Sequence, residues 1–471
     1  MLAEIKGLNE ECGVVAVWNH PEAAQLSYYG LHSLQHRGQE GAGIVTTDGT
    51  SLSLCKGEGL VTEIFTADKM EELADSGKAA IGHVRYATAG GGGYQNVQPF
   101  LFNSHTGGLA LAHNGNIVNA NQLKAQLESQ GSIFQTTSDT EVLAHLIKRS
   151  GYPVLKDSVK SSLGMLKGAY AFVVLTEKEL ILARDPHGLR PLSLGKIGDA
   201  YVAASETCAL DIIGAEFVRD ILPGELVVIN DEGITAEMFA KSTQQAMCMM
   251  EYVYFSRPDS NIDGINVHTA RKNLGKKLAE EAMIDADVVT GVPDSSISAA
   301  IGYAEASGIP YEMGMIKNKY VGRTFIQPSQ SLREQGVKMK LSAVRGVVEG
   351  KRVVMVDDSI VRGTTSRRIV RMLKEAGALE VHVLISSPPI KNPCFYGIDT
   401  SKKEELIASS KSVEEIREII GADSLTFLSA EGMVEAIGRP FPGETRGSCL
   451  ACFTGNYPTE IYEEALEAVK C

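Results

Sequence analysis

The segment Val353-Val354-Met355-Val356-Asp357-Asp358-Ser359-Ile360-Val361-Arg362-Gly363-Thr364-Thr365 sets two adjacent carboxylates, several hydroxyls and a glycine behind a short apolar run. Such a run reads as a strand buried on both faces, as in a parallel sheet. Asp357 and Asp358 then stand at its C-terminal end, where open α/β sheets bind ligands. Ser359, Gly363, Thr364 and Thr365 lead into a helical pattern from Ser366 to about Ala376. Hydroxyls and backbone N–H groups at a helix start suit a phosphate, and the helix dipole adds to the attraction. Carboxylates would repel that phosphate, so they need another target: sugar hydroxyls or a divalent cation. Together these residues describe a site for a sugar phosphate carrying a metal. The plain alternative is a strand–turn–helix with a solvated acidic turn.

A second chemistry lies near the start, where Cys12 opens the strand-like run Cys12-Gly13-Val14-Val15-Ala16-Val17-Trp18. A thiol becomes a strong nucleophile only where a base or a positive field helps to form its thiolate. A free α-amino group, with a pKa of about 8, supplies that base if Cys12 is the N-terminus. That requires removal of residues 1–11, a short polar leader. The other reading of Cys12 is a buried strand cysteine.

Gln35-His36-Arg37-Gly38, His83-Val84-Arg85-Tyr86-Ala87-Thr88, Ala112-His113-Asn114-Gly115-Asn116 and Ser138-Asp139-Thr140-Glu141 follow in that order. With Cys12-Gly13 they resemble the glutaminase domain of N-terminal-nucleophile amidotransferases. Glutamine carries an α-carboxylate, an α-ammonium and a side-chain amide, and each needs a partner. The resemblance implies Arg85 for the carboxylate, where a planar fork is the natural receptor. It implies Asp139 for the ammonium, and Asn114 with the Gly115 N–H for an oxyanion hole. Singly these would be an exposed arginine, a hairpin turn and an acidic helix start. Their order and spacing set them apart. Asp185-Pro186-His187-Gly188-Leu189-Arg190-Pro191-Leu192 also matches and is read as structure, with His187 a turn residue.

The segment 353–365 resembles the 5-phosphoribosyl 1-pyrophosphate (PRPP) loop of type I phosphoribosyltransferases. That resemblance implies PRPP contacts from Asp357, Asp358, Ser359, Arg362, Gly363, Thr364 and Thr365. Upstream, Ala286-Asp287-Val288-Val289-Thr290-Gly291-Val292-Pro293-Asp294-Ser295 reads as a strand ending in a phosphate-friendly loop. In the family this loop meets the pyrophosphate, and Ser295 aligns with a Mg²⁺-contacting position beside Asp357 and Asp358. A helix N-cap is the other reading of Ser295, and the two are compatible. Lys317-Asn318-Lys319-Tyr320-Val321-Gly322-Arg323-Thr324-Phe325-Ile326 is basic within an acidic chain. The resemblance implies a loop that orders over PRPP and excludes water, with Lys319 and Arg323 on the pyrophosphate.

Cys449-Leu450-Ala451-Cys452 is a close pair, with Cys248 and Cys394 far upstream. A Cys-x-x-Cys pair alone is compatible with redox chemistry, zinc or no role. The absence of a second close pair disfavours a zinc ribbon. The resemblance carries Cys248, Cys394, Cys449 and Cys452 onto the ligands of a [4Fe–4S] cluster, structural or oxygen-sensing in role, with four-thiolate zinc as the alternative. Cys55, Cys208 and Cys471 are ordinary thiols in this reading.

These segments need more scaffold than one core gives, and 471 residues predict two or three domains. The 45 basic against 58 acidic residues leave a net charge of −13, which argues against nucleic acid or a membrane surface as a general partner. No apolar stretch is long enough to span a bilayer, and residues 1–11, with three glutamates, are not a secretory signal. Eight cysteines in so long a chain predict a reducing cytoplasm rather than a disulfide scaffold. A composition shift near residues 231–250 marks the domain boundary.

Nearly the whole chain resembles the glutamine PRPP amidotransferase family, in the subfamily with a leader peptide and an iron–sulfur cluster. The fold implied is α/β and α+β: an N-terminal-nucleophile αββα glutaminase domain, then a type I phosphoribosyltransferase domain with a parallel sheet. The divisions are 1–11, removed on maturation, 12–243 and 244–471. The activity implied moves glutamine-derived ammonia to C1 of PRPP, giving 5-phosphoribosylamine, glutamate and pyrophosphate, the first committed step of purine synthesis. Mg²⁺, the [4Fe–4S] cluster, purine nucleotide inhibitors and a cytoplasmic homotetramer are implied with it. An amidotransferase making glucosamine phosphate or asparagine would share only the first half. A non-catalytic PRPP sensor would not need Cys12, Arg85, Asn114 and Asp139 together.

Overall fold

The computed structural model describes residues 12–74, 77–86, 92–105, 107–240, 244–318, 341–398, 400, 402–440 and 447–462. The leader 1–11, Lys319, Arg323 and Cys471 lie outside the described residues.

The N-terminal half is built on two antiparallel sheets, one of seven strands and one of six. Side-chain alternation explains the layering. In the strand Gly13–Trp18, Val15 and Val17 pack with Leu31 of the helix Ala23–Ser33. Val14, Ala16 and Trp18 point the other way, into a core shared with Ala110, Ala112, Ala171 and Val173 of the six-stranded sheet. That second sheet is covered in turn by the helices Ala120–Ser129, Thr140–Arg149 and Leu155–Leu163. A strand apolar on both faces has to be sandwiched, so the order is helix, sheet, sheet, helix.

The C-terminal half carries a four-stranded parallel sheet in the order Val288–Gly291, Arg352–Asp357, Glu380–Ile385, Ser424–Phe427. Val353 and Met355 join one core with the helices Thr364–Glu375 and Val413–Ile420, while Val354 and Val356 join another with Val267–Glu281 and Ile297–Ser307. Both faces are covered, which is why the run lacks polar alternation. The helices Val267–Glu281 and Ile297–Ser307 cross with almost no gap. A Cβ on Gly275 would lie 1.8 Å from the Ala299 carbonyl oxygen, and one on Gly302 would lie 1.9 Å from that of Lys272.

The halves meet through buried charge. Glu206, fully buried, accepts from Arg37 Nε, from His36 Nε2 at 2.7 Å, from the Arg257 N–H at 2.8 Å and from Ser260 Oγ at 2.6 Å. The other end of the Arg37 guanidinium reaches Glu251 and, at 3.0 Å, Ser256 Oγ. Arg190 joins Glu251 at 3.4 Å, and Asp263 bridges Arg184 at 3.0 Å and Arg439 at 2.9 Å. Burial alone would raise the Glu206 carboxyl, but Arg37 and His36 outweigh it and hold it well below the usual range.

Two outcomes follow from this packing. Gly275→Ala must push two helices apart, and should lower the thermal midpoint through a loss of about 1–3 kcal/mol. Glu206→Gln removes one of the two carboxylates that neutralise buried Arg37, and should cost about 3–5 kcal/mol at neutral pH. A depressed folded pKa gives stability that is present above the unfolded value near ~4.3 and lost as pH falls through the folded value. The gap between Glu206→Gln and wild type in thermal midpoint should therefore narrow only in acid below about pH 4.

Candidate active sites

At the amidase end, the register sets Gly13 opposite Val84, which brings Cys12 and Arg85 to the same end of neighbouring strands. Cys12 Sγ lies 3.6 Å from the Tyr86 carbonyl oxygen, and Arg85 is buried. Gly38 is required behind that arginine: a Cβ there would sit 2.6 Å from its backbone. Asn114 and Gly115 lie within the strand Gly107–Ile117, not in a hairpin turn. Ser205 ties them to the strand Gly13–Trp18, accepting from the Val14 N–H at 2.9 Å and from Asn114 Nδ2 at 3.5 Å. Gly115 has φ +139, and a Cβ would lie 2.1 Å from the Ala169 oxygen. Only glycine fits there.

Asp139 stands at the N-cap of Thr140–Arg149, yet its side chain makes no cap bond. Its Oδ2 instead accepts from the Ile117 N–H at 2.8 Å, which joins it to the Asn114–Gly115 strand. His113 lies between them, 3.7 Å from Asp139 through Nδ1. Burial pushes His113 down and takes His83 to about 3, so both are neutral rings. His83 Nε2 is committed to the His113 carbonyl oxygen at 3.0 Å, so the histidines fix strands and neither serves Cys12 as a base.

At the phosphate end, the pairing of Gly291 with Val356 lays the loop 292–296 beside Asp357 and Asp358. Ser295 Oγ donates to Asp358, Ser296 Oγ to Asp357 at 3.1 Å, and Ser359 Oγ to Asp358 at 2.7 Å. Ser296, not Ser295, takes the N-cap position of Ile297–Ser307, without a side-chain cap bond. Burial and then the Asp358 charge push Asp357 well up, and burial raises Asp358. Two desolvated carboxylates flanked by hydroxyls are a donor set for a hard cation. Gly363, at φ +74, caps Thr364–Glu375 with no side-chain bond, so that helix start keeps backbone N–H groups for an anion. Thr364 is exposed and Thr365 half-buried beside it, whereas Arg362 pairs with Glu405.

The four singled-out cysteines converge. Cys248 lies opposite Cys449 in a short parallel pair of strands, Met247–Cys248 with Ser448–Cys449. The Lys391 and Asn392 N–H groups both reach the Cys452 carbonyl oxygen at 3.0 Å, bringing Cys394 in. Burial, with Cys394 nearby, pushes Cys449 to about 12 and Cys452 well up. Among the described residues no three His, Cys, Asp or Glu side chains stand close enough for one metal ion.

Ser205, Ser296 and Glu251 belong to these arrangements and carry no motif that sequence reasoning could use. Glu251 alone left a trace, as the one acid in the apolar run 248–255.

A glutamine amidotransferase domain model matches residues 85–211 and a phosphoribosyl transferase domain model matches 263–415. The chain is 72% identical over 467 residues to the amidophosphoribosyltransferase of Bacillus subtilis strain 168, covering 99% of this chain and 98% of that one. To the Staphylococcus aureus strain Mu50 amidophosphoribosyltransferase it is 57% identical over 458 residues, covering 97% and 92%. A solved structure of glutamine PRPP amidotransferase from B. subtilis, complexed with ADP and GMP, superposes with a TM-score of 0.92 at 71% identity, over 96% of this chain and 98% of that one. With both domain types in sequence and similarity along nearly the whole chain, this protein belongs to the amidophosphoribosyltransferase family.

Proposed function

We propose that Cys12, Arg85, Asn114, Gly115 and Asp139 release ammonia from glutamine, and that the Asp357–Asp358 site consumes it. The enzyme transfers that ammonia to C1 of PRPP, giving 5-phosphoribosylamine, glutamate and pyrophosphate, the first committed step of purine synthesis. The observation that carries the assignment of residues is the joining of Val14, two residues after Cys12, to Asn114 through Ser205 and of Asp139 to the strand Gly107–Ile117.

Cys12 Sγ attacks the side-chain amide carbon of glutamine, and its proton passes through its own α-amine to the leaving ammonia. Water then hydrolyses the glutamyl thioester to glutamate. Asn114 and the Gly115 N–H stabilise the oxyanion in both steps. The α-amine exists only once residues 1–11 are gone, so the chain is a zymogen with domains at 12–243 and 244–471. At the second site ammonia attacks C1 as the C1–O bond to pyrophosphate breaks, and positioning dominates. Ser359, Gly363, Thr364 and Thr365 hold the 5-phosphate, with Arg362 released from Glu405. Lys319 and Arg323, outside the described residues, are assigned to the pyrophosphate by the family resemblance. Asp357, Asp358 and Ser295 would hold Mg²⁺, which neutralises charge on the leaving group.

Cys248, Cys394, Cys449 and Cys452 would hold a [4Fe–4S] cluster, a structural or oxygen-sensing tie between the start and the end of the C-terminal half. Among the described residues no helix is long and apolar enough to cross a membrane. A cytoplasmic homotetramer inhibited by purine nucleotides completes the reading, the latter supported by the nucleotides of the B. subtilis complex.

Anaerobically purified protein given glutamine, PRPP and Mg²⁺ should release glutamate and pyrophosphate in equal amounts, with glutamate release depending on PRPP. Cys12→Ala should abolish glutamine use and spare ammonia-dependent synthesis; equal loss of both would count against two separate sites. Iron and sulfide analysis of the same preparation should find four of each per chain, as a [4Fe–4S] cluster requires. Stoichiometric zinc would replace the cluster assignment.

A further inference from the structure

The strands that carry Val14 and Asn114 meet at one hydroxyl. Ser205 directly follows the strand Ala200–Ala204 and is fully buried. It holds Val14 twice: its N–H donates to the Val14 carbonyl oxygen at 3.0 Å, and its Oγ accepts from the Val14 N–H at 2.9 Å. A side chain pinned in this way cannot change rotamer without stranding a buried N–H. Glu206, next in the chain, is held by Arg37 and His36, so the backbone beyond Ser205 is anchored as well. The hydroxyl is therefore a fixed point between the two sheets.

Asn114 is also fully buried, and its amide reaches that point. With Nδ2 toward Ser205 the contact is 3.5 Å, the outer limit of a hydrogen bond, and Oδ1 has no partner among the described residues. Ser205 Oγ meanwhile accepts in both of its contacts, which leaves its own proton unspent. One side chain thus lacks an acceptor and its neighbour lacks a donor. The oxygen and nitrogen of an amide have nearly the same shape, so hydrogen bonding decides which of them faces the hydroxyl. With Oδ1 toward Ser205, the O–H donates to it and Nδ2 is freed. Oxyanion stabilisation needs that orientation, since an amide oxygen aimed at developing negative charge repels it.

We propose that Ser205 is a positioning residue of the amidase site: its hydroxyl donates to Asn114 Oδ1 and so presents Asn114 Nδ2 to the oxyanion of the tetrahedral intermediate. This role rests on the reading of Asn114 as an oxyanion-hole donor given above. Ser205 keeps its proton throughout and acts only through the amide.

The test uses full-length matured protein, with glutamate release measured at saturating PRPP and Mg²⁺. Ser205→Ala should lower kcat for glutamine by about 10–100-fold and leave the glutamine KM unchanged. Alkylation of Cys12 by iodoacetamide, followed on the peptide that carries it, should keep its wild-type rate, because that reaction builds no oxyanion. In an Asn114→Ala background Ser205→Ala should cost nothing further, as expected when one residue acts only through the other. Ser205→Cys, similar in shape and a weak donor, reads the same kcat loss if Ser205→Ala does not fold. An unchanged kcat overturns the role and leaves the amide to be oriented by another donor, such as the Cys12 α-amine. A raised KM or slowed alkylation overturns it too, by showing that the strand Gly13–Trp18 has moved. Equal cost of Ser205→Ala with and without the Asn114 amide has the same meaning. Asn114→Ala that by itself keeps the wild-type kcat overturns the oxyanion-hole reading instead.

Discussion

Arg37 is fully buried, and its guanidinium is divided between two carboxylates from different parts of the chain. Glu206 follows the strand Ala200–Ala204 of the seven-stranded sheet, while Glu251 opens the C-terminal half. Removing either partner leaves charge in a medium that cannot solvate it, whereas the complete set neutralises itself. The two halves are thus held by a requirement for pairing that a purely apolar interface would lack. An apolar contact tolerates sliding; a fork shared between two carboxylates has one register. Placement of Cys12 relative to the transferase half depends on that register, because the Arg37 stem lies against Gly13.

What could be read from sequence divides along the same line. Residues 353–365 revealed themselves because strand, acidic turn and helix start are consecutive, and each shapes its own stretch of chain. The glutaminase motifs were legible as a family pattern, although the local rule for Asn-Gly predicts a hairpin. The structure instead puts Asn114 and Gly115 inside a strand, where Ala169 leaves no room for a side chain at Gly115. Asp139 shows the same override: it occupies an N-cap position but gives its carboxylate to Ile117. Tertiary demand displaced local propensity at both.

The partners that sequence reasoning missed are those whose role depends on distant chain. Ser296 beside Ser295 has no distinguishing context until the pairing of Val288–Gly291 with Arg352–Asp357 aims it at Asp357. Ser205 acquires its place only when two sheets stack. Glu251 looks like an interruption in an apolar run, and its partners are 61 and 214 residues away along the chain. Spacing in sequence cannot encode such separations.

The segment after Cys394 shows how far this non-locality extends. Asn116 Nδ2 donates to the Phe395 carbonyl oxygen at 2.8 Å, and Arg190 Nε to that of Tyr396 at 3.1 Å. A Cβ on Gly397, at φ +115, would lie 3.4 Å from the Gly115 backbone. The strand proposed to offer the oxyanion hole is therefore braced by chain from the other half, starting beside a cysteine that sequence alone connects only to Cys248, Cys449 and Cys452. Both of these hydrogen bonds are made by side chains of the N-terminal half to main-chain carbonyls, so the brace depends on backbone path more than on which side chains occupy 395–397. Whatever fixes that path at Cys394 also fixes how closely the halves approach at Gly115. Glutamine chemistry in this fold is thus a property of the assembled halves, even though every residue proposed to touch glutamine belongs to the first.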